Sequence, residues 1–330
     1  MYNIKIFNNI SDIIFTNLTP DKYQITDSVE NAHGILVRSA SLHEIELSPT
    51  LLGIARAGAG VNNIPVNKCT EKGIVVFNTP GANANAVKEL VLASLFLSSR
   101  KIYDGISWVK SLRGQGIEIP KLIEKEKSRF SGPEITGKKL GVIGLGAIGT
   151  MVANGAAALG MEVTGYDPFI SVKSAWNLSR AVHRAESLDS LLAESDYITI
   201  HIPLLPDTKN YINHEAFSKM KKGVRLLNFA RGELVNTADL IDALKDGTVS
   251  CYVTDFPNEE LLACENVIPI PHLGASTPES EVNCASMASA QLQQYIETGN
   301  IINSVNFPDC EMPKCNHLRI TVAHKNVPNM

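Results

Sequence analysis

The sequence predicts an α/β protein with two doubly wound parallel-sheet domains. Short apolar runs alternate with helical stretches along the chain, and this rhythm is typical of parallel sheets connected by crossover helices. At 330 residues the chain is longer than most single hydrophobic cores allow, so two domains are expected. Between the two α/β regions, residues 86–97 are almost wholly apolar, and they predict a buried helix that joins the domains.

The strands follow from apolar runs that are bounded by turn residues. In the first region these runs are residues 4–7, 34–37, 52–56 and 74–77. In the second region they are residues 139–143, 161–166, 197–200, 224–228, 251–254 and 267–269. Residues 279–298 predict a final long helix, and residues 300–307 an extended segment. The charge run at 121–127 indicates a solvated helix face.

Composition and charge exclude several classes of protein. The formal net charge is −4, from 30 Lys and Arg against 34 Asp and Glu, so neither nucleic acid nor an anionic membrane is an expected partner. No apolar run approaches the ~20 residues that span a bilayer, and the strand-like alternation of residues 1–7 is unlike a signal peptide. The six cysteines are scattered without CxxC spacing. We therefore expect reduced thiols, a cytoplasmic protein and no metal site.

Residues 140–149, with the sequence LGVIGLGAIG, form the most informative segment. A GxGxxG pattern is weak evidence alone, but here it follows an apolar strand and opens a small-residue helix. Gly144 permits a tight turn, Gly146 lets the backbone approach a pyrophosphate, and Gly149 allows close helix–strand packing. The free amides of Ala147 and Ile148 point at the phosphates, where the helix dipole favours negative charge.

An acidic residue follows at the distance expected for ribose binding. The next strand ends in Tyr166-Asp167, about 20 residues beyond the glycine turn. Asp167 is predicted to accept a hydrogen bond from the ribose 2′-hydroxyl and to repel a 2′-phosphate. The sequence therefore predicts dinucleotide binding and favours NAD over NADP, although Lys173 nearby leaves NADP open.

Three polar loops follow successive strands of the second region. Arg231 lies just past one strand, acids at 255–260 follow the next, and His272 follows another. Ligands of open α/β sheets bind beyond the carboxyl ends of the strands, so these loops are expected to converge on one crevice. Arg231 offers a planar fork to a carboxylate, and a histidine can exchange a proton at neutral pH.

Together with the glycine turn, these loops resemble the D-2-hydroxyacid dehydrogenase family. The resemblance includes His201-Ile202-Pro203-Leu204, which is similar to the family's HxP turn, and it covers roughly residues 1–308. It implies an NAD-binding Rossmann domain at 98–275, inserted into a flavodoxin-like substrate domain formed by 1–97 and 276–308. It also implies a homodimer that forms through the NAD domains.

The resemblance implies an Arg–Glu–His catalytic set, which maps onto Arg231, Glu260 and His272. The arginine would bind the substrate carboxylate, the histidine would exchange the hydroxyl proton, and the glutamate would hold the second imidazole nitrogen. Glu259 is adjacent, and a shift of one residue in the loop would exchange the two acids. Asp255 is expected either to contact the nicotinamide amide or to cap its own loop. The family's other NAD contacts map onto His201, Pro203, Thr208, Ala230, His272 and Gly274.

The resemblance also implies a set of substrate contacts. These map onto Arg38, Ser39, Arg56, Ala59, Gly60, Asn83 and Arg231. Arg38 and Arg56 are similar to the arginines that serve a phosphorylated substrate in the D-3-phosphoglycerate dehydrogenases of this family. A phosphate dianion needs such charge, whereas lactate or glyoxylate would leave it unpaired. Either arginine alone can equally form a local salt bridge.

Residues 309–330 resemble the opening of an ACT regulatory domain, which phosphoglycerate dehydrogenases often carry. We therefore expect a truncated ACT domain, a frayed strand and no serine feedback. Two other interpretations remain open. One is a sibling enzyme, namely a hydroxypyruvate or glyoxylate reductase or a D-lactate dehydrogenase. The other is an NAD-sensing, corepressor-like binding protein. The paired arginines and the tail favour the phosphorylated substrate.

Overall fold

The computed structural model describes residues 1–313, 320 and 322, and the chain divides into two compact units. The first unit comprises Met1–Asn83 and Ser276–Met330, and the second comprises Ala84–Ala275. Most of the segment for which an ACT domain is expected lies outside the described residues, so that expectation stays a prediction.

The first unit begins with five parallel strands, β1 (Tyr2–Ile6), β2 (Tyr23–Thr26), β3 (Gly34–Val37), β4 (Gly53–Arg56) and β5 (Val75–Phe77). They form one sheet in the order β2-β1-β3-β4-β5, which is the flavodoxin-like order. A short helix, α1 (Val66–Glu71), precedes β5. Apolar clusters cover both faces of the sheet, as an all-parallel sheet requires.

The second unit opens with three helices, α2 (Ala84–Ser99), α3 (Ile102–Ser111) and α4 (Ile119–Glu126). The apolar helix α2 packs Val87, Val91 and Leu95 into the core beneath the following sheet, because its side chains are too apolar to face water. The contacts thus place α2 in the second unit, whereas the sequence analysis drew the domain boundary after residue 97. The charge run lies on α4, which has no buried residue.

Seven parallel strands build the second sheet. The elements that follow α4 are β6 (Lys139–Ile143), α5 (Ala147–Ala158), β7 (Glu162–Tyr166), α6 (Val172–Asn177), β8 (Val182–Arg184), α7 (Leu188–Glu194), β9 (Tyr197–Ile200), α8 (His214–Ser218), β10 (Val224–Asn228), α9 (Thr237–Lys245), β11 (Val249–Thr254), α10 (Glu259–Leu262) and β12 (Val267–Pro269). The sheet order is β12-β11-β10-β9-β6-β7-β8. The chain leaves β6 in both directions, which is the Rossmann pattern, and the switch point lies between β6 and β9.

The chain then returns to the first unit in one long helix, α11 (Pro278–Thr298). Thr277 caps its start by accepting a hydrogen bond from the Ser280 amide (3.1 Å), and Gly299 ends it in a left-handed conformation (φ 71°). Leu292 is fully buried against the glycines that open β3 and β4. The predicted extended segment at 300–307 forms isolated bridges and no regular strand.

The predicted fold class, two parallel α/β domains of the doubly wound type, is confirmed. All ten predicted strands are present. The sequence analysis missed β2 and β8, which are edge strands with mostly exposed side chains. Such strands lack the continuous apolar run that marks a buried parallel strand. No helix among the described residues combines the length and apolar character that a membrane span needs.

Candidate functional site

The glycine turn joins β6 to α5 at the switch point of the second sheet. Gly144 has φ +91°, and a Cβ atom there would lie 2.6 Å from the carbonyl oxygen of His201. A Cβ atom at Gly149 would overlap the Gly144 carbonyl. Both positions therefore need glycine for packing inside the protein, as the sequence analysis predicted.

Gly146 differs from its two neighbouring glycines. A Cβ atom there would meet no protein atom within 4 Å, and both Gly146 and Ala147 are exposed. Gly146 is also the N-cap of α5 and provides no side-chain acceptor, so amides of the first helical turn lack an intrahelical partner. Open space in front of free amides at a helix start fits a pyrophosphate.

Asp167, at the end of β7, holds the glycine turn in place. One carboxylate oxygen accepts a hydrogen bond from the Leu145 amide (2.8 Å), and the other accepts from the Phe169 amide (2.8 Å). Each oxygen has a second lone pair, so Asp167 can still accept a hydrogen bond from a ribose hydroxyl. The acid therefore has a structural part in the turn beside its predicted part in cofactor binding.

The HxP turn follows β9 beside the glycine turn. The His201 amide donates to the Ile143 carbonyl (2.7 Å), and its Nε2 lies 2.9 Å from the Thr199 hydroxyl. Desolvation lowers the pKa of His201 to about 3, so the imidazole is neutral. Its Nδ1 is buried without a hydrogen-bond partner among the described residues. Thr208 closes the turn by donating to the Pro203 carbonyl (2.7 Å).

The loop after β10 presents Arg231 at the surface. The buried side chain of Asn228 accepts a hydrogen bond from the Ala230 amide (3.1 Å) and donates one to the Arg231 carbonyl (2.8 Å). The guanidinium donates back to the Ala230 carbonyl (2.7 Å) and lies 5.9 Å from the centre of the Phe256 ring. The five donors of a guanidinium leave several free for a carboxylate.

The loops after β11 and β12 meet at Asp255 and His272. The centre of the His272 ring lies 4.7 Å from that of Phe256, with the two rings tilted by 53°. Arg231 and His272 thus both contact the same aromatic ring. Asp255 is buried, and one oxygen accepts a hydrogen bond from the Gly274 amide (3.2 Å). Its Oδ1 has no partner among the described residues. Burial raises the pKa of Asp255, while that hydrogen bond and the charges of His272 and Arg231 oppose the rise.

Two neighbouring glutamates are candidates for the predicted catalytic acid. Glu259 and Glu260 both lie in the first turn of α10 and are exposed. Within the described part of the chain, neither carboxylate makes a hydrogen bond or an ion pair. The choice between them therefore stays as open as the sequence left it.

In the first unit, the loop after β3 carries Arg38 and Ser39. The side-chain oxygen of Asn8 accepts hydrogen bonds from the Ser39 amide (2.9 Å) and the Ala40 amide (2.8 Å). This fixes the loop beyond the carboxyl end of β1. The Arg38 guanidinium forms an ion pair with Glu281 of α11 (2.8 Å), in which both side chains are partly exposed.

The loop after β4 carries the other predicted substrate contacts. The Arg56 Nε donates to the Arg38 carbonyl (3.0 Å), and its guanidinium lies over the α-carbon of Gly58. Asn78 donates to the Ala59 carbonyl (2.6 Å). The strand ends thus bring Arg38 and Arg56 together, with Ala59 on the same loop as Arg56. Gly60 and Asn83 are half-buried, and their predicted roles stay predictions.

Two cavities of about 210 Å³ each open at the amino ends of the strands of the second sheet, away from these loops. Arg225 lines both cavities, and its Nε donates to the Ser98 carbonyl (2.8 Å). Lys221, which lines one of them, pairs with Asp196 at 2.9 Å. Since these cations already have acceptors, we assign the cavities no ligand. No cluster of His, Cys, Asp and Glu in the described residues could hold a metal ion.

The sequence analysis missed three residues that shape these loops. Asn8 adopts a left-handed conformation (φ 71°) directly after β1, and Asn228 is a polar residue at the end of an apolar strand. Phe256 contacts both Arg231 and His272. The only signal in the sequence was position, since each residue follows or ends a buried strand.

The chain is similar to proteins of one known family. The family described as "D-isomer specific 2-hydroxyacid dehydrogenase, NAD binding domain" matches residues 92–274. D-3-phosphoglycerate dehydrogenase of Methanocaldococcus jannaschii is 35% identical over 326 residues, which are 96% of this chain and 59% of that protein. This chain thus spans less than two thirds of that relative's length. NAD, the predicted cofactor, is confirmed by the family match.

Two solved structures are similar to this chain. The NAD⁺-bound 3-phosphoglycerate dehydrogenase of Entamoeba histolytica has a TM-score of 0.73 and 25% identity, covering 93% of this chain and 99% of that one. The apo D-mandelate dehydrogenase of Rhodotorula graminis has a TM-score of 0.75 at 21% identity, covering 92% and 97%. The second likeness shows the fold alone.

Replacing Gly146 by valine should remove cofactor binding without unfolding the protein, because the side chain would fill open space that the pyrophosphate needs. We expect NADH affinity to fall by at least about tenfold, a loss of ~1.4 kcal/mol, with the melting temperature unchanged. Fluorescence titration with NADH measures the affinity. As the matched control, Gly144→Val should lower the melting temperature. Wild-type affinity in Gly146→Val would contradict the predicted phosphate contact.

Replacing Asp255 by asparagine should change how stability depends on pH. Because burial raises the pKa of Asp255 above its ordinary 3.8, the folded protein keeps this proton to higher pH than the unfolded chain does. The Asp255 contribution to stability therefore falls as the pH rises above ~4. The unfolding free energy of Asp255→Asn relative to wild type should increase between about pH 3 and pH 7. Urea denaturation measures it, with the exposed Glu259→Gln as control. A constant difference would contradict the raised pKa.

Proposed function

The chain belongs to the D-isomer specific 2-hydroxyacid dehydrogenase family, and on that premise we propose that it transfers a hydride between NAD and a D-2-hydroxy acid. We further propose that its substrate pair is 3-phosphoglycerate and 3-phosphohydroxypyruvate, which would place it in serine biosynthesis. The observation that carries the proposal is that Arg231 and His272 both contact Phe256, next to the buried Asp255.

NAD, when bound, supplies the hydride acceptor or donor. The open space at Gly146 fits the pyrophosphate, and Asp167 keeps lone pairs for the ribose. The partnerless Oδ1 of Asp255 can accept a hydrogen bond from the nicotinamide amide, and the buried Nδ1 of His201 is a further polar atom beside this site. These are groups that would be costly to leave unsatisfied, and their positions support a bound dinucleotide.

The side chains beyond β10 and β12 would handle the substrate. Arg231 would bind its carboxylate through two parallel hydrogen bonds and polarise the carbonyl oxygen. His272 would take the hydroxyl proton during oxidation and return it to the carbonyl oxygen during reduction. Glu260, or Glu259 after a shift in the loop, would stabilise the protonated imidazole.

The phosphorylated substrate is favoured by the two arginines of the first unit. Arg38 and Arg56 lie on neighbouring loops, and the Arg56 Nε is bonded to the Arg38 carbonyl. We propose that their guanidinium groups bind the phosphate, with Ser39, Ala59, Gly60 and Asn83 as further contacts. A relative to which 96% of this chain aligns is named D-3-phosphoglycerate dehydrogenase, which supports the same substrate.

One contact favours a second candidate, a dehydrogenase of unphosphorylated D-2-hydroxy acids. Glu281 already neutralises Arg38 at 2.8 Å, so Arg38 has a counterion of its own. A phosphate would have to displace Glu281, whereas a smaller acid would leave the ion pair intact. An exposed ion pair contributes only ~0–1 kcal/mol, and a phosphate dianion can therefore compete with it.

We also propose that the protein is a cytoplasmic homodimer. Tyr103, Ile106 and Val109 recur at every third position of α3 and are exposed. Such an apolar stripe is typical of a protein interface, and it supports pairing through the second unit. The cysteines within the described residues are free thiols, as is usual in a reducing compartment. We propose in addition that the chain is divided into an NAD-binding domain and a substrate-binding domain.

Initial rates of NADH oxidation test the substrate. 3-Phosphohydroxypyruvate should be preferred over hydroxypyruvate, glyoxylate and pyruvate. Arg38→Ala should raise KM for the phosphorylated acid about 10–100-fold, as expected for losing a hydrogen bond to a charged group, and leave the other acids within about threefold. Better rates with unphosphorylated acids would support the dehydrogenase activity but contradict the proposed phosphate contact. No turnover with any acid, despite tight NADH binding, would support a binding protein.

Replacing His272 by alanine should lower kcat by about 10²–10⁴-fold, the usual contribution of a positioned acid–base group. The NADH dissociation constant should change far less, by about twofold, because His272 is only one of the predicted cofactor contacts and the phosphate and ribose contacts lie elsewhere. Stopped-flow reduction and fluorescence titration measure the two quantities. His43→Ala, at an exposed histidine of the first unit, is the matched control. Unchanged turnover in His272→Ala would remove this residue from the proposed mechanism.

A further inference from the structure

We propose that Asn228 is a positioning residue, and that its carboxamide and the Tyr252 hydroxyl together set where the Arg231 guanidinium stands during the reaction. The inference rests on the proposed function, because it takes Arg231 as the group that binds the substrate carboxylate. It adds two buried residues that do not touch the substrate themselves.

The carboxamide of Asn228 clamps the loop on both sides of Arg231. Asn228 is the last residue of β10 and is fully buried. Its Oδ1 accepts a hydrogen bond from the Ala230 amide at 3.1 Å, and its Nδ2 donates to the Arg231 carbonyl at 2.8 Å. One side chain thus fixes the peptide group before Ala230 and the one after Arg231. The backbone between them has little freedom to move without breaking a buried hydrogen bond.

Tyr252 provides the second hydrogen-bond partner of the Asn228 Nδ2. It lies on the neighbouring strand β11, is 1% exposed, and its hydroxyl oxygen is 3.2 Å from the Asn228 Nδ2. Burial raises the pKa of this phenol, so the group is neutral. If the amide were flipped, its oxygen would face the Arg231 carbonyl oxygen, and two acceptors would repel each other. Both hydrogens of Nδ2 have partners in the observed orientation.

The guanidinium is tied to the same short loop. Its Nη1 donates to the Ala230 carbonyl at 2.7 Å, and the side chain extends over Phe256. A shift of Ala230 therefore moves the guanidinium directly. Catalytic groups must be placed closely, and a displacement of ~1 Å can reduce the rate by about 10²-fold. The position of Arg231 thus depends on hydrogen bonds that form beneath the surface.

Only a short side chain with both a donor and an acceptor can make these contacts. An ionised aspartate is an acceptor alone, so it would face the Arg231 carbonyl without a hydrogen to donate. A protonated aspartate regains one donor and becomes a close substitute for asparagine. Protonation of an aspartate at this position should therefore restore the hydrogen bond to the Arg231 carbonyl. This dependence on pH is specific to a hydrogen-bonding role.

The test compares Asn228→Asp and Asn228→Ala with wild type, using kcat and KM for the preferred 2-keto acid from about pH 5 to pH 8. We expect kcat/KM of both variants to be about 10–100-fold below wild type at neutral pH, with NADH affinity unchanged. As the pH falls, the kcat/KM of Asn228→Asp divided by that of wild type should rise by at least about fivefold. The same ratio for Asn228→Ala should not change with pH. Melting temperatures report whether each variant is folded.

Tyr252→Phe is the milder variant, and it serves if Asn228→Asp fails to fold. It keeps the buried ring and removes one acceptor, so kcat/KM should fall about 3–10-fold with wild-type NADH affinity. Wild-type kinetics in Tyr252→Phe, or a flat ratio for a folded Asn228→Asp, would overturn the proposal. Failure of the proposed function would look different: wild type would be inactive with every acid, or Arg231→Gln would be as active as wild type.

Discussion

In the second unit, the backbone of Gly144 lies against the backbone of His201 with no room for a side chain. This close approach occurs where β6 and β9 are neighbours in the sheet but are separated by more than 50 positions in the chain. Because of this close approach, the glycine turn and the HxP turn lie side by side at the same edge of the second sheet. Every candidate cofactor contact lies in a loop or first helical turn that follows one of these strands, because the strands are parallel and end at the same edge.

The order of strands explains how residues far apart in the sequence come to act together. From β7 to β12 the carboxyl ends carry, in turn, an acid, a glycine turn, a histidine, an arginine, a buried acid and a second histidine. The first sheet repeats this principle on a smaller scale, since its own loops bring Arg38 beside Arg56. The two sheets thus each present a set of polar groups from a scaffold that is buried on both faces.

The sequence predicted the sheets and the positions of the candidate loops well, for a physical reason. Buried parallel strands are continuous apolar runs, and the residues at 144–149, 167, 231 and 272 each follow such a run directly. What the sequence could not predict depends on side-chain contacts. The roles of Asn8 and Asn228 arise from hydrogen bonds to backbone groups, and nothing in their neighbourhood of the chain marks them. The choice between Glu259 and Glu260 as catalytic acid also depends on side-chain contacts.

The dual use of Asp167 limits how easily the cofactor preference could change. Its carboxylate is predicted to select against a 2′-phosphate, and it also accepts a hydrogen bond from the Leu145 amide, which shapes the glycine turn. A substitution chosen only to admit NADP would therefore remove a hydrogen bond from the turn that we expect to bind the pyrophosphate. Evolution or design would need a second change that restores that bond. On this proposal, preference for NAD over NADP is coupled to the integrity of the predicted phosphate site.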